Sequence, residues 1–126
     1  MGMKDIVIRQ YQAMVDTAAL NAQGITQPPE GWVRTVRKAL GMSGAQLARR
    51  LDASRALVSQ TEKNELNGSI TVKNLQQMAE AMGCHFVYAI VPNGQTMEDL
   101  LAKFVQPDVI AAARALPIDD PGEGAV

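Results

Sequence analysis

The stretch SGAQLARRLDASRALVSQTEK, residues 43–63, contains two short amphipathic helical patterns joined by three residues. The first pattern runs from Gly44 to Leu51 and the second from Arg55 to about Glu62. Each follows a serine, Ser43 or Ser54, whose hydroxyl can accept a hydrogen bond from a free N–H of the first helical turn. Helices this short are stable only when they pack on each other and on a third element. The stretch therefore predicts a tight corner of two packed helices.

The residues at this corner favour close packing. Ala48 and Val58 are expected where the two helices approach, and a small residue opposite a β-branched one allows that approach without a void. Asp52 falls where the chain leaves the first helix, and we expect it to have a positive φ, which Asp tolerates better than most residues. Such a corner is typical of the helix-turn-helix, whose second helix lies in the major groove of DNA.

The outer side of the second helix carries side chains suited to reading bases. Arg can bind guanine with two hydrogen bonds, Gln can bind adenine in the same way, and Ala leaves room for a thymine methyl group. The candidate base-reading residues are Arg55, Ala56, Ser59 and Gln60. The competing interpretation is an ordinary polar surface of an all-α domain.

Basic residues are concentrated in the middle of the chain. Residues 31–73 hold eight basic and three acidic residues, a net charge of +5, whereas the whole chain has a net charge of −1. This asymmetry is expected if only the middle meets phosphate. The candidate contacts to the DNA backbone in and after the corner are Ser43, Gln46, Arg49, Ser54, Lys63, Asn64 and Asn67.

A family resemblance extends beyond the corner. The chain contains the segments GWVRTVRKALGMSGAQLARRL, QLARRLDASRALVSQTEK, LNGSITVKNLQQMAEAMGC and HFVYAIVP. Through them, about residues 28–102 resemble the phage-repressor-like (Cro/XRE-type) helix-turn-helix family. More narrowly they resemble the bacterial group called mobile mystery protein A, whose members are typically encoded beside a Fic-domain protein. The resemblance implies an autoregulator and antitoxin of a toxin–antitoxin-type operon, with a Fic-domain toxin as partner. It also implies that the first helix of the domain touches the DNA backbone through Arg37, with Arg34 and Lys38 as alternatives and a solvated role for each as the competing interpretation.

Three residues depart from the family pattern. Gly44 stands where the family usually has a Gln that contacts phosphate, so that contact is in doubt. Asp52 replaces the usual turn glycine, and Thr61 replaces a usually apolar inward residue. The last two departures imply a slightly less stable corner.

The expected fold is mainly α: a repressor-like helix-turn-helix bundle with an N-terminal helix and one C-terminal β-strand. Four regions are predicted: a helical extension (1–27), the DNA-binding domain (28–83), a strand with C-terminal helices for dimerisation or partner binding (84–116), and a flexible acidic tail (117–126). Besides the corner, helices are expected over Met3–Ala22, Trp32–Leu40, Val72–Met82, Met97–Val105 and Asp108–Leu116, and a loop over Asn64–Ile70. Trp32, the single tryptophan, is expected to anchor the core.

Two apolar segments are expected to cover other surfaces. The N-terminal helix has a stripe formed by Met3, Val7, Tyr11, Met14 and Ala18. The stripe would cover its own domain, a second copy of the chain or a different protein. CHFVYAIV, residues 84–91, is rich in β-branched and aromatic residues and predicts a strand. Because no other stretch reads as a strand, we expect it to pair across a two-fold axis, with dimer contacts from Phe86, Val87, Tyr88 and Ile90.

Several function classes have no support in the sequence. A single cysteine excludes an internal disulfide and a Cys-based zinc site, and it suits a reducing cytoplasm. Cys84 and His85 are adjacent and make a poor metal pair. No nucleophile pairs with the lone histidine at a recognisable spacing, and no segment reads as a membrane span or signal peptide. We therefore expect a cytoplasmic protein that is not an enzyme and needs no metal or cofactor.

The sequence as a whole predicts a homodimeric repressor. It should bind an inverted repeat in double-stranded DNA, with half-sites about one helical turn apart. The alternative is a protein-interaction module that neutralises a partner without specific DNA binding.

Overall fold

Six α-helices make up most of residues 2–104, the part of the chain that the computed structural model describes. They are α1 (Met3–Ala22), α2 (Trp32–Ala39), α3 (Gly44–Arg50), α4 (Arg55–Asn67), α5 (Val72–Ala81) and α6 (Met97–Phe104). Residues Ile25–Tyr88, which include α2 to α5, form one unit. The segments before and after it, with α1 and α6, form the other.

The core of the Ile25–Tyr88 unit lies between α3 and α4 and is closed by α2 and α5. It consists of Val33, Leu47, Ala48, Val58, Met78 and Met82. Ala48 and Val58 are only 3% and 1% exposed, which confirms the prediction that they lie where α3 and α4 meet. The two serine-capped helices therefore form the packed corner that the sequence predicts.

The turn between α3 and α4 is closed by backbone hydrogen bonds around Asp52. Its φ of 53° confirms the predicted left-handed conformation. The N–H of Asp52 donates to the carbonyl of Arg49 at 3.2 Å, and that of Ala53 to the carbonyl of Ala48 at 2.9 Å. This pair of bonds is the Schellman motif, which satisfies the last carbonyls of a helix. α3 ends one residue earlier than expected, at Arg50.

α2 buries less of its apolar surface than its pattern predicts. Val33 is buried and Val36 packs partly against the core. Trp32 and Leu40 are 38% and 52% exposed, so the prediction that Trp32 anchors the core is wrong. Val33 and Val36 are three residues apart and occupy the inward face, which leaves Trp32 to one side of it. Trp32 instead lines an apolar groove of about 360 Å³ between α2 and α5.

α4 is longer than predicted. It continues to Asn67, so the first four residues of the predicted loop Asn64–Ile70 are helical and that prediction is wrong. No residue between Lys63 and Asn67 interrupts a helix. Gly68, with a φ of 83°, ends the helix in the left-handed conformation that glycine adopts without strain. The dipeptide Asn67-Gly68 is therefore a helix C-terminus and not a turn within a loop.

α5 agrees closely with the sequence pattern. The hydroxyl of Thr71 accepts a hydrogen bond from the N–H of Asn74 at 3.0 Å and caps the helix. Met78 is buried and Leu75 packs against the core, whereas Val72 is 44% exposed. Val72 is the first helical residue, so it lies at the rim of the packed surface.

The predicted strand is not formed within the described chain. Residues 84–92 belong to no helix or strand, and no strand occurs anywhere in residues 2–104. A strand requires a paired backbone, and no backbone hydrogen bond involves Phe86, Val87 or Tyr88 in this part of the chain. Pairing across a dimer stays a prediction.

In the other unit, α1 packs on α6 with a face different from the predicted stripe. The Asp16 carboxylate accepts a hydrogen bond from the N–H of Met97 at 3.0 Å at the start of α6. The stripe itself stays uncovered, because Met3, Tyr11 and Met14 are 76%, 65% and 68% exposed. The described residues of this unit therefore do not cover the stripe, and what covers it stays a prediction.

Two predictions, the helix Asp108–Leu116 and the tail 117–126, lie outside the described residues. Within residues 2–104, no helix is long and apolar enough to cross a membrane. The same residues contain no group of three or more His, Cys, Asp or Glu side chains that could hold a metal ion.

Candidate nucleic-acid interface

The outer face of α4 is open where the sequence predicts base reading. Val58 and Thr61 face the core and are 1% and 5% exposed, so the opposite side of the helix faces outward. The candidate base-reading residues Arg55, Ala56, Ser59 and Gln60 are all exposed. The structure thus brings the four side chains together on one accessible face.

Gln60 is oriented by a neighbour one helical turn later. Its Nε2 donates to Oδ1 of Asn64 at 3.0 Å. A glutamine amide has two N–H donors and a carbonyl acceptor, so one donor and the acceptor remain free. Two-point contact with adenine uses one donor and one acceptor. Asn64, which is half-buried in α4, retains its amide N–H groups for a backbone contact.

A groove of about 420 Å³ lies beside this face, between α2, the start of α3 and α4. Its lining includes the basic side chains Arg34, Arg55 and Lys63. All three residues are exposed, and none forms a salt bridge within residues 2–104. The three cations lie along one groove, as a site for DNA phosphates requires.

Three of the five N–H groups of the Arg37 guanidinium donate to partners within the protein. Its Nε and Nη2 donate to the carboxylate of Glu62 at 2.7 and 3.1 Å, and its Nη1 donates to the carbonyl of Met42 at 3.0 Å. The hydrogen bonds that Arg37 donates to Glu62 raise the pKa of Arg37 above its ordinary value. The guanidinium thus joins α2, α4 and the loop before α3, and a backbone contact by Arg37 stays a prediction.

The three basic residues of α2 differ in their partners. The Nζ of Lys38 lies 3.1 Å from both carboxylate oxygens of Glu30, and this hydrogen-bonded cation lowers the pKa of Glu30. Arg34 is exposed and has no carboxylate partner within the described residues. It is therefore the basic residue of α2 best placed to meet a phosphate.

The start of α3 presents two polar side chains that cap the helix. The hydroxyl of Ser43 accepts from the N–H of Gln46 at 3.1 Å, and the Gln46 carbonyl accepts from the N–H of Ser43 at 2.7 Å. This capping box leaves the Ser43 O–H and the Gln46 Nε2 free as donors. Both are predicted backbone contacts, and both are exposed with a donor available.

The remaining predicted backbone contacts are also at the surface. Arg49, Ser54, Lys63 and Asn67 are exposed. The hydroxyl of Ser54 accepts from the N–H of Leu57 at 3.0 Å and confirms the predicted cap of α4. The Oδ1 of Asn67 accepts from the N–H of Ser69 at 2.9 Å. Each side chain keeps a donor that could reach a phosphate oxygen.

Sequence patterns do not identify Glu65, which contacts α2 from the second half of α4. Its carboxylate accepts hydrogen bonds from the N–H groups of Trp32 and Val33 at 2.6 and 3.0 Å. The available signal is the acidic pair Glu62 and Glu65, three residues apart in a basic stretch, which places both on one face of a helix. That signal does not reveal their partners.

Comparison with known proteins agrees with this architecture. Residues 33–88, which include all of α2 but its first residue and the whole of α3 to α5, match a family described as "Helix-turn-helix". No curated protein and no solved structure matches the chain. The matched residues include the buried corner, the exposed face of α4 and the basic groove. Residues 33–88 are thus similar to Cro/XRE-type helix-turn-helix domains, a family that indicates a DNA-binding transcriptional regulator.

Proposed function

We propose that the protein is a sequence-specific transcriptional regulator that acts in the cytoplasm and represses its own operon. The observation that carries this proposal is the exposed outer face of α4 beside the groove lined by Arg34, Arg55 and Lys63. The face offers side chains that can read base edges, and the groove offers cations for phosphates. Phosphate contacts would supply much of the affinity, and the residues on α4 the preference for a sequence.

The test is fluorescence anisotropy of the full chain on a duplex from its own upstream region. A scrambled duplex of the same composition is the control. We expect the upstream duplex to bind about a thousandfold or more tightly than the scrambled one. Raising the salt concentration from about 50 to about 200 mM should weaken binding by about a thousandfold, because several counterions are released. Equal affinity for both duplexes would refute the proposal.

We further propose that the regulator binds as a homodimer to an inverted repeat. The segment 84–91 supports this, because it leaves Val87, Tyr88 and Ile90 exposed by 66%, 69% and 91%. The rings of Phe86 and Tyr88 stack with centroids 5.8 Å apart, as side chains two residues apart on one side of an extended chain can do. Pairing this segment with its counterpart would satisfy its backbone groups and cover these side chains.

A role as an antitoxin is the finer part of the proposal. It follows from the resemblance to mobile mystery protein A, which implies a Fic-domain toxin as partner. The uncovered stripe on α1 is the surface that supports it, since its exposed residues run the length of a helix of 20 residues. An amphipathic helix with an open apolar face is a common way to bind a groove in another protein.

The competing function is an interaction module that does not read DNA. The same α1 stripe favours it. Size-exclusion chromatography of the chain with the Fic-domain partner that the resemblance implies, followed by anisotropy on the upstream duplex, separates the two functions. A complex with no preference for the upstream duplex would favour the interaction module, whereas a complex with that preference would favour the regulator.

A further inference from the structure

The N-terminus of α2 is capped by a side chain from α4. The first N–H groups of a helix have no partner within the helix, and a nearby side chain usually accepts from them. Gly31, the residue before α2, has no side chain to do so. The carboxylate of Glu65 accepts from the N–H of Trp32 at 2.6 Å and from that of Val33 at 3.0 Å. α4 therefore holds the backbone of α2 directly.

The glycine at position 31 is part of this contact. A Cβ on Gly31 would lie 2.8 Å from Oε1 of Glu65, closer than real contacts allow. The φ of Gly31 is also 86°, in the region that favours glycine. Gly31 and Glu65 thus fit each other, since any larger residue at position 31 would displace the carboxylate.

A second carboxylate of α4 holds the other end of α2. Glu62 lies three residues before Glu65, on the same face of α4, and pairs with Arg37 in the last turn of α2. Together with the core contacts of Val33 and Val36, these two carboxylates fix the position of α2 along α4. Of the two attachments, Glu65 binds backbone groups, so it fixes the start of α2 without a long flexible side chain in between.

Arg34 directly follows the two residues that Glu65 holds. We propose that Glu65 is a positioning residue for DNA binding, which places Arg34 on a phosphate while Arg55 reaches a base. The inference rests on the proposed function. Without Glu65, the start of α2 would move relative to α4, and the guanidinium of Arg34 would lose its fixed distance from the base-reading face. Phosphate contacts fix the register of a protein on DNA, so a loose Arg34 would also weaken base discrimination.

The test is a double-mutant cycle of Glu65→Ala with Arg34→Ala in the full chain. Anisotropy on a duplex selected from a random pool by the wild-type chain gives the dissociation constants. If Glu65 positions Arg34, the two single losses of affinity multiplied together should exceed the loss of the double variant by about threefold or more. The slope of the logarithm of the binding constant against the logarithm of salt concentration is a second readout. Arg34→Ala should reduce this slope by about one in the wild type, and by clearly less in the Glu65→Ala background.

The matched control is the cycle of Glu65→Ala with Arg49→Ala. Arg49 is an exposed basic residue of α3, a helix that Glu65 does not contact through a hydrogen bond. In this cycle the product of the two single losses of affinity should equal the loss of the double variant to within about twofold. If the affinity losses deviated from multiplication by the same factor in both cycles, the inference would be overturned, because such a result would indicate a general loss of structure.

Two further variants protect the test against misfolding. Glu65→Gln keeps one oxygen that can accept from α2, so its coupling to Arg34 should be intermediate. Gly31→Ala displaces the carboxylate without removing it and should reproduce the coupling of Glu65→Ala. Suppose that the wild type binds its selected duplex specifically, but that the affinity losses of Glu65→Ala and Arg34→Ala simply multiply in the double variant. That result would overturn the inference and leave the proposed function standing. A wild type that prefers no sequence would overturn the proposed function and the inference with it.

Discussion

The guanidinium of Arg37 and the carboxylate of Glu62 form a two-point ion pair, with Nε–Oε2 at 2.7 Å and Nη2–Oε1 at 3.1 Å. The side chains are only 13% and 11% exposed. Because the pair is largely shielded from water, each charge depends on the other for compensation. The pair joins the helix that carries Arg34 to the helix that carries the base-reading residues, so the arrangement of the site depends on it.

Removing Glu62 should therefore destabilise the protein strongly. In Glu62→Ala the Arg37 guanidinium stays partly desolvated with no counter-charge, and we expect a loss of about 3 kcal/mol in the free energy of unfolding. Urea denaturation followed by circular dichroism measures it. The control is Glu30→Ala, whose pair with Lys38 is about half exposed, so that no measurable change is expected. Equal losses for both variants would contradict this view of the pair.

The direction of the Arg37 pKa shift determines how the stability lost in Glu62→Ala depends on pH. The pKa of Arg37 is raised in the folded state, so its contribution is fully present below the ordinary pKa of arginine. It is lost only as the pH rises through the raised value, far into the alkaline range. We therefore expect that titration of Arg37 adds no pH dependence near neutrality to the difference in the free energy of unfolding between wild type and Glu62→Ala. Urea denaturation at several pH values measures this difference.

A glycine at position 52 should stabilise the corner. Asp52 adopts a φ of 53°, which costs a residue with a side chain more than it costs glycine. We expect Asp52→Gly to raise the free energy of unfolding by about 0.5–1 kcal/mol, as measured by thermal or urea denaturation. Asp52→Asn, which also tolerates this conformation, controls for the lost charge and should change little. A gain in Asp52→Asn equal to that in Asp52→Gly would assign the effect to charge instead.

The corner could be predicted because its signals are local. Caps at Ser43 and Ser54, the inward positions Ala48 and Val58, and the left-handed residue Asp52 each depend on neighbours within one or two helical turns. The family match over residues 33–88 agrees with that prediction. Local preferences and the final packing point to the same structure here, which is the condition under which sequence patterns are most informative.

The rest of the fold and of the candidate site depends on contacts between residues that are distant in the sequence. Nothing near Glu65 in the sequence indicates that it caps a helix beginning 33 residues earlier. Arg37, Lys38 and Arg34 are equally basic by composition, and only their partners distinguish them. Trp32 is apolar and follows the helical pattern, yet the two smaller residues Val33 and Val36 already fill the inward face. Periodicity therefore identified the right helices and left the choice among similar side chains open.

Arg55 should determine preference at one base position. We expect Arg55→Ala to lose about 1–3 kcal/mol of binding free energy on the selected duplex and to become indifferent to one base pair in it. The measurement is anisotropy on a panel of duplexes in which each base pair is changed in turn. Arg34→Ala is the control, because the loss of a phosphate contact should weaken all duplexes alike. Uniform losses for Arg55→Ala would remove it from the base-reading set.

The exposed segment 84–91 should control the oligomeric state. A charge at Tyr88, which is 69% exposed in the single chain, would be costly only if a second copy covers it. We expect wild type to sediment as a dimer and Tyr88→Asp as a monomer with an unchanged circular dichroism spectrum. Affinity for an inverted repeat should fall by about tenfold or more, because the two half-sites no longer bind one linked protein.

The matched control for Tyr88→Asp is Val72→Asp. Val72 is another exposed apolar residue, at 44%, and it opens α5, where an acidic side chain is favourable. Val72→Asp should keep the dimer mass and the affinity of wild type. If Tyr88→Asp also kept the dimer mass, the two-fold contact would have to lie elsewhere, and the uncovered stripe on α1 would be the surface to test, with Tyr11→Asp as the corresponding change.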